Sequence, residues 1–245
     1  MEDVNIDDSI ELSTRESIRE FLSSQNQVNL DKNIEELMDI NGGYKGRFEY
    51  FDSYLSAFHK KRILISGCAI GSEMIVAKQF GFSEIYGTEI SQDLVRIGNA
   101  RLKDLRNMTI NYINGNILPF ADESFTMVYS GHVIEHTSDP FLYIKEHLRV
   151  LRKDGILFIE FPNRYWFTEL HTGLFSFEYL PLYVRNFVLK KLSQRDARYE
   201  AILIMLKPIS IWQIRYFCWR SNYKSRIINV NKPAPGFVRI LISKL

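Results

Sequence analysis

The sequence lacks the features of a small secreted protein and those of a membrane-spanning one. Two cysteines, Cys68 and Cys218, are too few for a disulfide framework, so we expect a reducing, cytoplasmic location. The longest apolar stretch, "AILIMLKPISIWQI", is cut by Lys207 and Pro208, which predicts no transmembrane helix. The acidic start "MEDVNIDDSIEL" is unlike a signal peptide. A length of 245 residues fits one large domain with appendages.

A large net charge is also missing, but the charges are unevenly distributed. Residues 1–60 carry 13 acidic and 6 basic side chains, whereas residues 185–245 carry 2 acidic and 13 basic ones. A basic region of this kind attracts an anionic acceptor, a nucleic acid or a membrane surface. It is equally typical of a solvated basic face, and the sequence leaves these alternatives open.

From residue 62 onward, short apolar strands alternate with helices. The strands read "RILIS", "EIYGTEI", "MTINYI", "SFTMVYS" and "GILFIEF". Ser91, and Asp139 followed by Pro140, are typical residues for helix starts between them. "RIINVN" and "GFVRILISK" would add an antiparallel pair at the sheet edge. The pattern predicts an α/β fold with a Rossmann-like, seven-stranded, mostly parallel sheet and helices on both faces.

Two segments fall outside this alternation. Residues 1–60 read as an N-terminal helical cap, in which Asp31 would cap the second helix. Residues 61–245 would form the α/β domain, and residues 162–206 would be an insertion that covers a pocket as a lid. We expect most aromatic side chains of the insertion to pack in the lid's own core. These aromatic residues are Tyr165, Trp166, Phe167, Phe175, Phe177, Tyr179, Tyr183 and Phe187.

The stretch "RILISGCAIGSEM", residues 62–74, predicts a strand, a glycine-bearing turn and a helix. Gly67 would allow the sharp bend, and Gly71 would let the helix begin close to a ligand. In an open parallel sheet, ligands bind beyond the carboxyl ends of the strands. Glu89 ends the second strand 22 residues after Gly67, where a carboxylate can accept hydrogen bonds from ribose hydroxyls. These features predict a cofactor that contains ribose.

Several motifs occur in the order found in the class I S-adenosylmethionine-dependent methyltransferases, which the chain resembles. "ILISGCAIG" is similar to the family's "VLDIGCGTG", and the second strand ends in an acidic residue, as in the family. "GNILPFADESFT" is similar to "GDAEALPFPDNSFD", "HVIEH" to "HVLEH", and "IKEHLRVLRKDG" to "LREIARVLKPGG". The resemblance covers residues 62–161, points to the small-molecule, type 11-like branch, and implies S-adenosylmethionine as the cofactor.

The resemblance implies a role for each residue that matches a motif. Glu89 would bind the ribose hydroxyls, and Asn116 stands where the family often has an Asp that contacts the adenine amino group. Ser130 and Gly131 would lie beneath the sulfonium. The implied cofactor-binding residues are Gly67, Cys68, Ala69, Gly71, Glu89, Ile90, Asn116, Ile117, Ser130 and Gly131.

The chain departs from the family pattern at three positions. Ile65 replaces the acid of the first strand, Ala69 the middle glycine, and Thr126 the Asp that begins the fourth strand. We expect the lost acid to weaken the ordering of the turn or of the cofactor's amino-acid end, and groups in "YKGRF", residues 44–48, to compensate. A catalytically inactive, methyltransferase-like interaction module is the non-enzymatic alternative.

Histidines are the candidate bases for transfer to a hydroxyl. His132 and His136 lie in "GHVIEHTSDP" beside the implied sulfonium, and His171 follows the fifth strand together with Glu169. A structural role is the alternative for each of them. His132, Glu135 and His136 also share the i, i+3, i+4 spacing of one helical face. Some ubiquinone-pathway and small-RNA methyltransferases bind a metal with E-x-x-E-H at this place, but here His132 replaces the first Glu, so we expect no metal. A site for a softer metal, formed with His171, is the alternative.

The sequence of the insertion indicates which class of acceptor to expect. "EFPNRYWFTELHTGLFSFEYLP" is similar, more weakly, to bacterial methyltransferases of cell-surface polysaccharide pathways, and Arg164 and Arg185 could pair with phosphate or carboxylate. We therefore expect in-line, histidine-assisted O-methylation of a small molecule or saccharide, such as a glycan precursor. A metal-assisted RNA 2′-O-methyltransferase is the enzymatic alternative, and transient contact with a membrane surface is left open.

Overall fold

A seven-stranded sheet organises the computed structural model, which describes residues 4, 6–27, 29–163, 180–194, 209–228 and 237–244. The strands are β1 (Arg62–Ser66), β2 (Glu84–Glu89), β3 (Met108–Tyr112), β4 (Phe125–Gly131), β5 (Leu151–Pro162), β6 (Tyr223–Ile227) and β7 (Phe237–Lys244). Their order is β3-β2-β1-β4-β5-β7-β6, with β1 to β5 parallel and β7 antiparallel to β5 and β6. The predicted fold class, including the antiparallel pair at the edge, is confirmed.

Helices precede, connect and follow the strands. They are α1 (Asp8–Ser24), α2 (Leu30–Met38), α3 (Gly43–Asp52), α4 (Ser72–Gln79), α5 (Gln92–Arg101), α6 (Pro140–Val150), α7 (Leu182–Ser193) and α8 (Ile211–Arg220). A short 3₁₀ helix, Ile134–His136, follows β4. None of the described helices has both the length and the hydrophobicity that crossing a bilayer requires.

Side-chain caps fix the starts of several helices. Ser91 Oγ accepts a hydrogen bond from the Leu94 amide at 3.4 Å, and the Asp139 carboxylate caps α6 with Pro140 at its first position, as predicted. The predicted cap at Asp31 is wrong, because α2 begins one residue before it. Asn29, with a left-handed φ of 58°, precedes α2 instead and makes no side-chain cap.

Alternation along β1 divides the core between the two faces of the sheet. Leu64 points to the face that α6 and α8 cover, where Ile144 and Ile214 are fully buried. Ile63 and Ile65 point to the other face and pack with aromatic side chains of α3, β4 and β5. These rings, Phe48, Phe51, Tyr129 and Phe158, lie 4.7 to 5.6 Å apart between centres. Helix α3 is therefore part of the sheet's core.

The first two helices pack on the start of α4 and on α5. Their apolar side chains form a cluster with Ile70 of the turn after β1 and with Ile97 of α5. Arg101 is fully buried there; it pairs with Glu11 at 2.8 Å and donates to Ser72 Oγ at 2.6 Å. Helices α1 and α2 thus pack against the turn after β1 and stabilise it. The proposed boundary between residues 60 and 61 falls just before β1 and stays a prediction.

The predicted lid lies mostly outside the described residues. Within residues 162–206, only 162–163 and 180–194 are described, so the predicted site residues His171, Glu169 and Arg164 lie outside, as do six of the aromatic residues. Tyr183 and Phe187 are described and largely exposed on α7, which is the opposite of packing in a lid core. Arg185 is buried on the same helix.

Candidate functional site

The turn between β1 and α4 has an unusual backbone. Gly67, Ala69 and Gly71 have φ values of 67°, 46° and 86°, so three of five consecutive residues are left-handed. The amides of Gly67 and Cys68 donate to the Thr88 carbonyl at 2.8 and 3.1 Å. The turn is therefore bound to the end of β2, and its path brings the start of α4 to the carboxyl edge of the sheet.

Glycine is required at both ends of this turn. A Cβ atom at Gly67 would lie 2.5 Å from Cγ2 of Val133, and one at Gly71 would lie 2.7 Å from Cδ1 of Leu102. The contact with Gly67 also shows that the segment after β4 lies over the turn. Cys68 is buried, and burial raises the pKa of its thiol, so it is a packing residue and not a nucleophile.

Glu89 stands where the sequence predicts the ribose ligand. Its Oε2 accepts a hydrogen bond from the Ala69 amide at 3.1 Å, and its Oε1 accepts from the amides of Ile90 and Ser91 at 2.8 and 3.0 Å. Three amides thus hold one carboxylate rigidly beside the turn. A carboxylate has about four acceptor positions, so this one retains capacity for a ligand.

The neighbouring strand ends carry exposed apolar side chains. Ile90, after β2, and Ile117, after β3, are 70% and 65% exposed, which is unusual for isoleucines next to buried strands. Asn116 donates a long hydrogen bond of 3.5 Å through Nδ2 to the Asp139 carbonyl. Its Oδ1 remains an acceptor, as binding an adenine amino group would require.

The end of β4 faces a buried polar network. Ser130 Oγ lies 2.8 Å from the Tyr143 hydroxyl, and Ser66 Oγ lies 2.6 Å from His147 Nε2. Burial lowers the pKa of His147 to about 4, so this histidine is neutral and structural. Because the Ser130 side chain points into the core, Ser130 and Gly131 can meet a ligand only through their backbone.

The carboxylate of Glu73 lies on the face of the sheet where Ile65 stands in place of the acid of the first-strand motif. Ile65 is fully buried and pairs with Tyr129 across the sheet. Glu73, in the first turn of α4, lies 3.3 Å from the Tyr129 hydroxyl and 2.9 Å from Arg47 of α3. Burial raises the pKa of Glu73 to about 7, although Arg47 opposes the shift. Arg47 belongs to the "YKGRF" segment from which compensation is expected.

Glu160, near the carboxyl end of β5, is the centre of a second cluster of buried charge. Its Oε1 lies 3.1 Å from both Arg47 Nε and His132 Nε2, and its Oε2 pairs with Arg239 of β7. Burial by itself would raise the pKa of Glu160, but His132, Arg47 and Arg239 together lower it to about 2. The carboxylate is therefore charged at every physiological pH.

Carboxylates face both ring nitrogens of His132. Nε2 is 3.1 Å from Glu160, Nδ1 is 3.7 Å from Glu135, and the backbone is left-handed with φ of 57°. Although burial lowers the pKa of His132, Glu135 and Glu160 raise it, so the net shift is upward. Of the two histidines in this motif, His132 is therefore less suited to accept a proton from an acceptor.

Glu135 and His136 complete the segment over the turn. His136 is 40% exposed, and its Nε2 lies 4.0 Å from Glu135 Oε1. Glu135 is buried, and neither of its oxygens has a hydrogen-bond partner among the described residues. His132 and His136 each lie within 4.0 Å of Glu135, but His132 precedes the 3₁₀ helix, so the three residues do not share one helical face as expected. The described residues contain no group of three side chains that could hold a metal ion.

Sequence reasoning missed the charged residues beneath the site. Glu73, Glu160 and Arg239 come from three distant parts of the chain. Only Glu160 had a local signal, an acid in the apolar strand "LFIEF". The departure at Thr126 has a structural reason, since its hydroxyl accepts from the Arg62 amide at 2.9 Å at the opposite end of the sheet.

Residues 64–159 match the family model described as a methyltransferase domain. A curated relative, the demethylmenaquinone methyltransferase of Geobacillus sp. (strain WCH70), is 28% identical over 109 residues. The match covers 42% of this chain and 46% of that protein. This chain therefore spans less than half the length of that relative.

Solved structures share the fold over more of the chain. An S-adenosylmethionine-dependent methyltransferase from Mesorhizobium loti, 12% identical, has a TM-score of 0.62 and covers 83% of this chain and 99% of its own. A possible histamine N-methyltransferase from Thermotoga maritima, 16% identical, has a TM-score of 0.59 and covers 94% and 99%. The fold thus extends beyond the residues that the family model matches.

Proposed function

We propose that the chain, in which residues 64–159 match a methyltransferase domain, is a class I S-adenosylmethionine-dependent methyltransferase of the type 11-like branch that transfers a methyl group to a hydroxyl of a small-molecule acceptor. The observation that carries this proposal is the Glu89 carboxylate, which the Ala69, Ile90 and Ser91 amides hold beside the turn. Bound S-adenosylmethionine would supply an electrophilic methyl group on its sulfonium.

The residues at the strand ends fit this cofactor. Glu89 would accept hydrogen bonds from the ribose hydroxyls, and Asn116 Oδ1 would accept one from the adenine amino group. The exposed side chains of Ile90 and Ile117 would contact the faces of the purine. The remainder of the cofactor would lie along the left-handed backbone of Gly67, Ala69 and Gly71, which Glu89 adjoins.

Arg47 and Glu73 are suited to the amino-acid end of the cofactor. That end carries one ammonium and one carboxylate, and Arg47 and Glu73 are an ion pair in which Glu73 is buried two residues beyond Gly71 and Arg47 is partly exposed. This pair would replace the acid that Ile65 removes from β1. The desolvation free energy of such a pair is offset only where both charges keep good partners.

His136 is the proposed general base. Its ring is accessible, and Val133 packs the same segment against Gly67, beside the implied sulfonium. His136 would take the acceptor's proton as the methyl group is transferred in line. Glu135, which lies 4.0 Å away without a hydrogen bond, would stabilise the resulting imidazolium. His171 remains a second candidate base, outside the described residues.

The acceptor is proposed only as a class. The name of the curated relative indicates a small molecule, demethylmenaquinone, while the weaker resemblance in residues 160–181 favours a saccharide hydroxyl. Of the two, a saccharide would present a hydroxyl oxygen to His136. An acceptor screen should therefore contain a hydroxylated naphthoquinone and a set of nucleotide sugars.

Calorimetric titration with S-adenosylhomocysteine tests the cofactor site. Glu89→Gln should weaken binding by about 1–3 kcal/mol, because ribose loses a charged acceptor. Glu84→Gln, which changes an exposed carboxylate at the other end of the same strand, should leave the affinity unchanged. Equal affinities of wild type and Glu89→Gln would remove Glu89 from the site. No binding by the wild type, with or without acceptors, would favour the interaction module.

A further inference from the structure

The outward face of α8 carries three large aromatic side chains that take no part in the site described above. Trp212, Tyr216 and Trp219 are 61%, 58% and 73% exposed. With about 100° between successive helical residues, they lie within roughly 60° of arc on one side of the helix. Tyr216 and Trp219 also contact each other, with ring centres 5.9 Å apart. Together they form a continuous apolar stripe.

Arginines flank this stripe on both sides. Arg215 and Arg220 are exposed, and on the helical projection one lies on each side of the aromatic rings. The Arg215 guanidinium lies 5.5 Å from the centre of the Trp212 ring. The opposite side of α8, with Ile214 and Cys218, is buried in the domain core. One side of the helix is therefore anchored, while the aromatic face of α8 (Trp212, Arg215, Tyr216, Trp219, Arg220) faces solvent.

Helix α7 repeats the pattern. Tyr183 and Phe187 are exposed one turn apart, and the Lys191 ammonium lies 5.9 Å from the centre of the Phe187 ring. Arg185 and Leu189 are buried on the same helix. Residues 180–194 and 209–228 contain no Asp or Glu. Two helices therefore combine exposed aromatic rings with positive charge and no negative charge.

We propose that the aromatic face of α8 docks the protein on the surface of an anionic lipid membrane. Tryptophan and tyrosine have an apolar body and a polar edge, which suits the zone between lipid chains and headgroups. Arginines beside the rings can reach outward to lipid phosphates while the rings insert. The absence of acidic residues removes repulsion from an anionic surface.

The shape of the face favours a membrane over a single-stranded nucleic acid. Nucleic acids are bound in grooves where aromatic rings stack on successive bases. The α8 face is instead the convex side of one helix, with its aromatic stripe in the middle and its cations at the borders. This arrangement matches a helix that lies flat in a bilayer surface. The proposal does not depend on methyl transfer.

Co-sedimentation of the full chain with lipid vesicles tests the proposal. One set of vesicles is phosphatidylcholine alone, and the other contains about one third phosphatidylglycerol. The protein should bind the anionic vesicles, and added salt should weaken this binding. Trp212→Ser/Trp219→Ser and Arg215→Gln/Arg220→Gln should each lower the partition coefficient roughly tenfold.

Matched controls separate docking from folding. Leu12→Ser/Arg96→Gln changes one exposed apolar and one exposed basic residue on α1 and α5, and should leave the partition coefficient unchanged. All variants should keep the wild-type circular dichroism spectrum. Wild-type protein that stays in the supernatant with both kinds of vesicle, or α8 variants that bind like wild type, would overturn the proposal. So would aromatic-dependent dimerisation or aromatic-dependent RNA binding without vesicle binding.

Discussion

Ala69, at the centre of the turn, has an unfavourable backbone conformation. It adopts a φ of 46°, which is unfavourable for a residue with a Cβ atom. Ala69→Gly should therefore raise the free energy of unfolding by about 1 kcal/mol, measured by urea denaturation. Ala100→Gly, at an exposed position in the last turn of α5, should instead lower it, by less than about 1 kcal/mol. A loss of stability in Ala69→Gly would show that the methyl group packs well enough to outweigh the strain.

His136 should matter for turnover and not for cofactor binding. With an acceptor from the screen, His136→Ala should lower kcat by about 10²–10⁴, the usual contribution of a general base, while the affinity for S-adenosylhomocysteine stays constant. His59→Ala is the matched control, because His59 bonds to Ser56 and to the Asp154 carbonyl away from the turn. If turnover of His136→Ala is unchanged, His136 is not the general base, and His171 or water would take that role.

At the scale of elements, one side chain ties α3 to α4 and to β5. Arg47 contacts Glu73 at 2.9 Å and Glu160 at 3.1 Å, and both carboxylates are buried. Arg47→Met should cost about 3 kcal/mol in urea denaturation, because it leaves buried carboxylates with fewer partners. Arg47→Met/Glu73→Met should cost less than the sum of the single variants, because the unpaired charge is removed as well.

An exposed ion pair provides the control for this cycle. Arg15→Met breaks the pair with Glu35 on the surface of the helical cap and should cost less than about 1 kcal/mol. Additive costs for Arg47→Met and Glu73→Met would contradict the interpretation, since they would mean that the two side chains act independently. The comparison thus separates the stability contribution of the Arg47–Glu73 pair from that of an ordinary surface ion pair.

The same elements show which features of the fold and site the sequence predicts and which it does not. Strand alternation, the turn, and the caps at Ser91 and Asp139 are local patterns, and the structure confirms them. The cluster around Glu160 could not be predicted, because it needs Arg239 from β7 to lie antiparallel beside β5. Compensation for Ile65 by residues 44–48 stays a prediction, and Glu73, the carboxylate that contacts Arg47 of this segment, was not predicted. Contacts between distant elements depend on register, which local patterns do not contain.

At the scale of the whole molecule, three buried groups contribute to the response of stability to pH with opposite signs. The folded-state pKa of His147 is about 4, below its ordinary value of 6.5, so its contribution is lost as pH falls from 6.5 towards 4. The pKa of Glu160 is lowered from 4.5 to about 2, so its contribution is lost below pH 4.5. The pKa of Glu73 is raised from 4.5 to about 7, so its contribution is lost as pH rises through that range.

These opposite signs predict a plateau in the wild type and its loss in one variant. Between about pH 4.5 and 6.5, the slopes from His147 and Glu73 largely cancel, each being worth about 3 kcal/mol, whereas below this range stability falls steeply. Glu73→Gln cannot titrate, so its free energy of unfolding should rise with pH across the same window. Urea denaturation at a series of pH values measures this, and Glu84→Gln should keep the wild-type profile because that carboxylate is exposed. A Glu73→Gln profile parallel to that of the wild type would mean that Arg47 keeps Glu73 ionised throughout, which would make the buried pair a permanent ion pair.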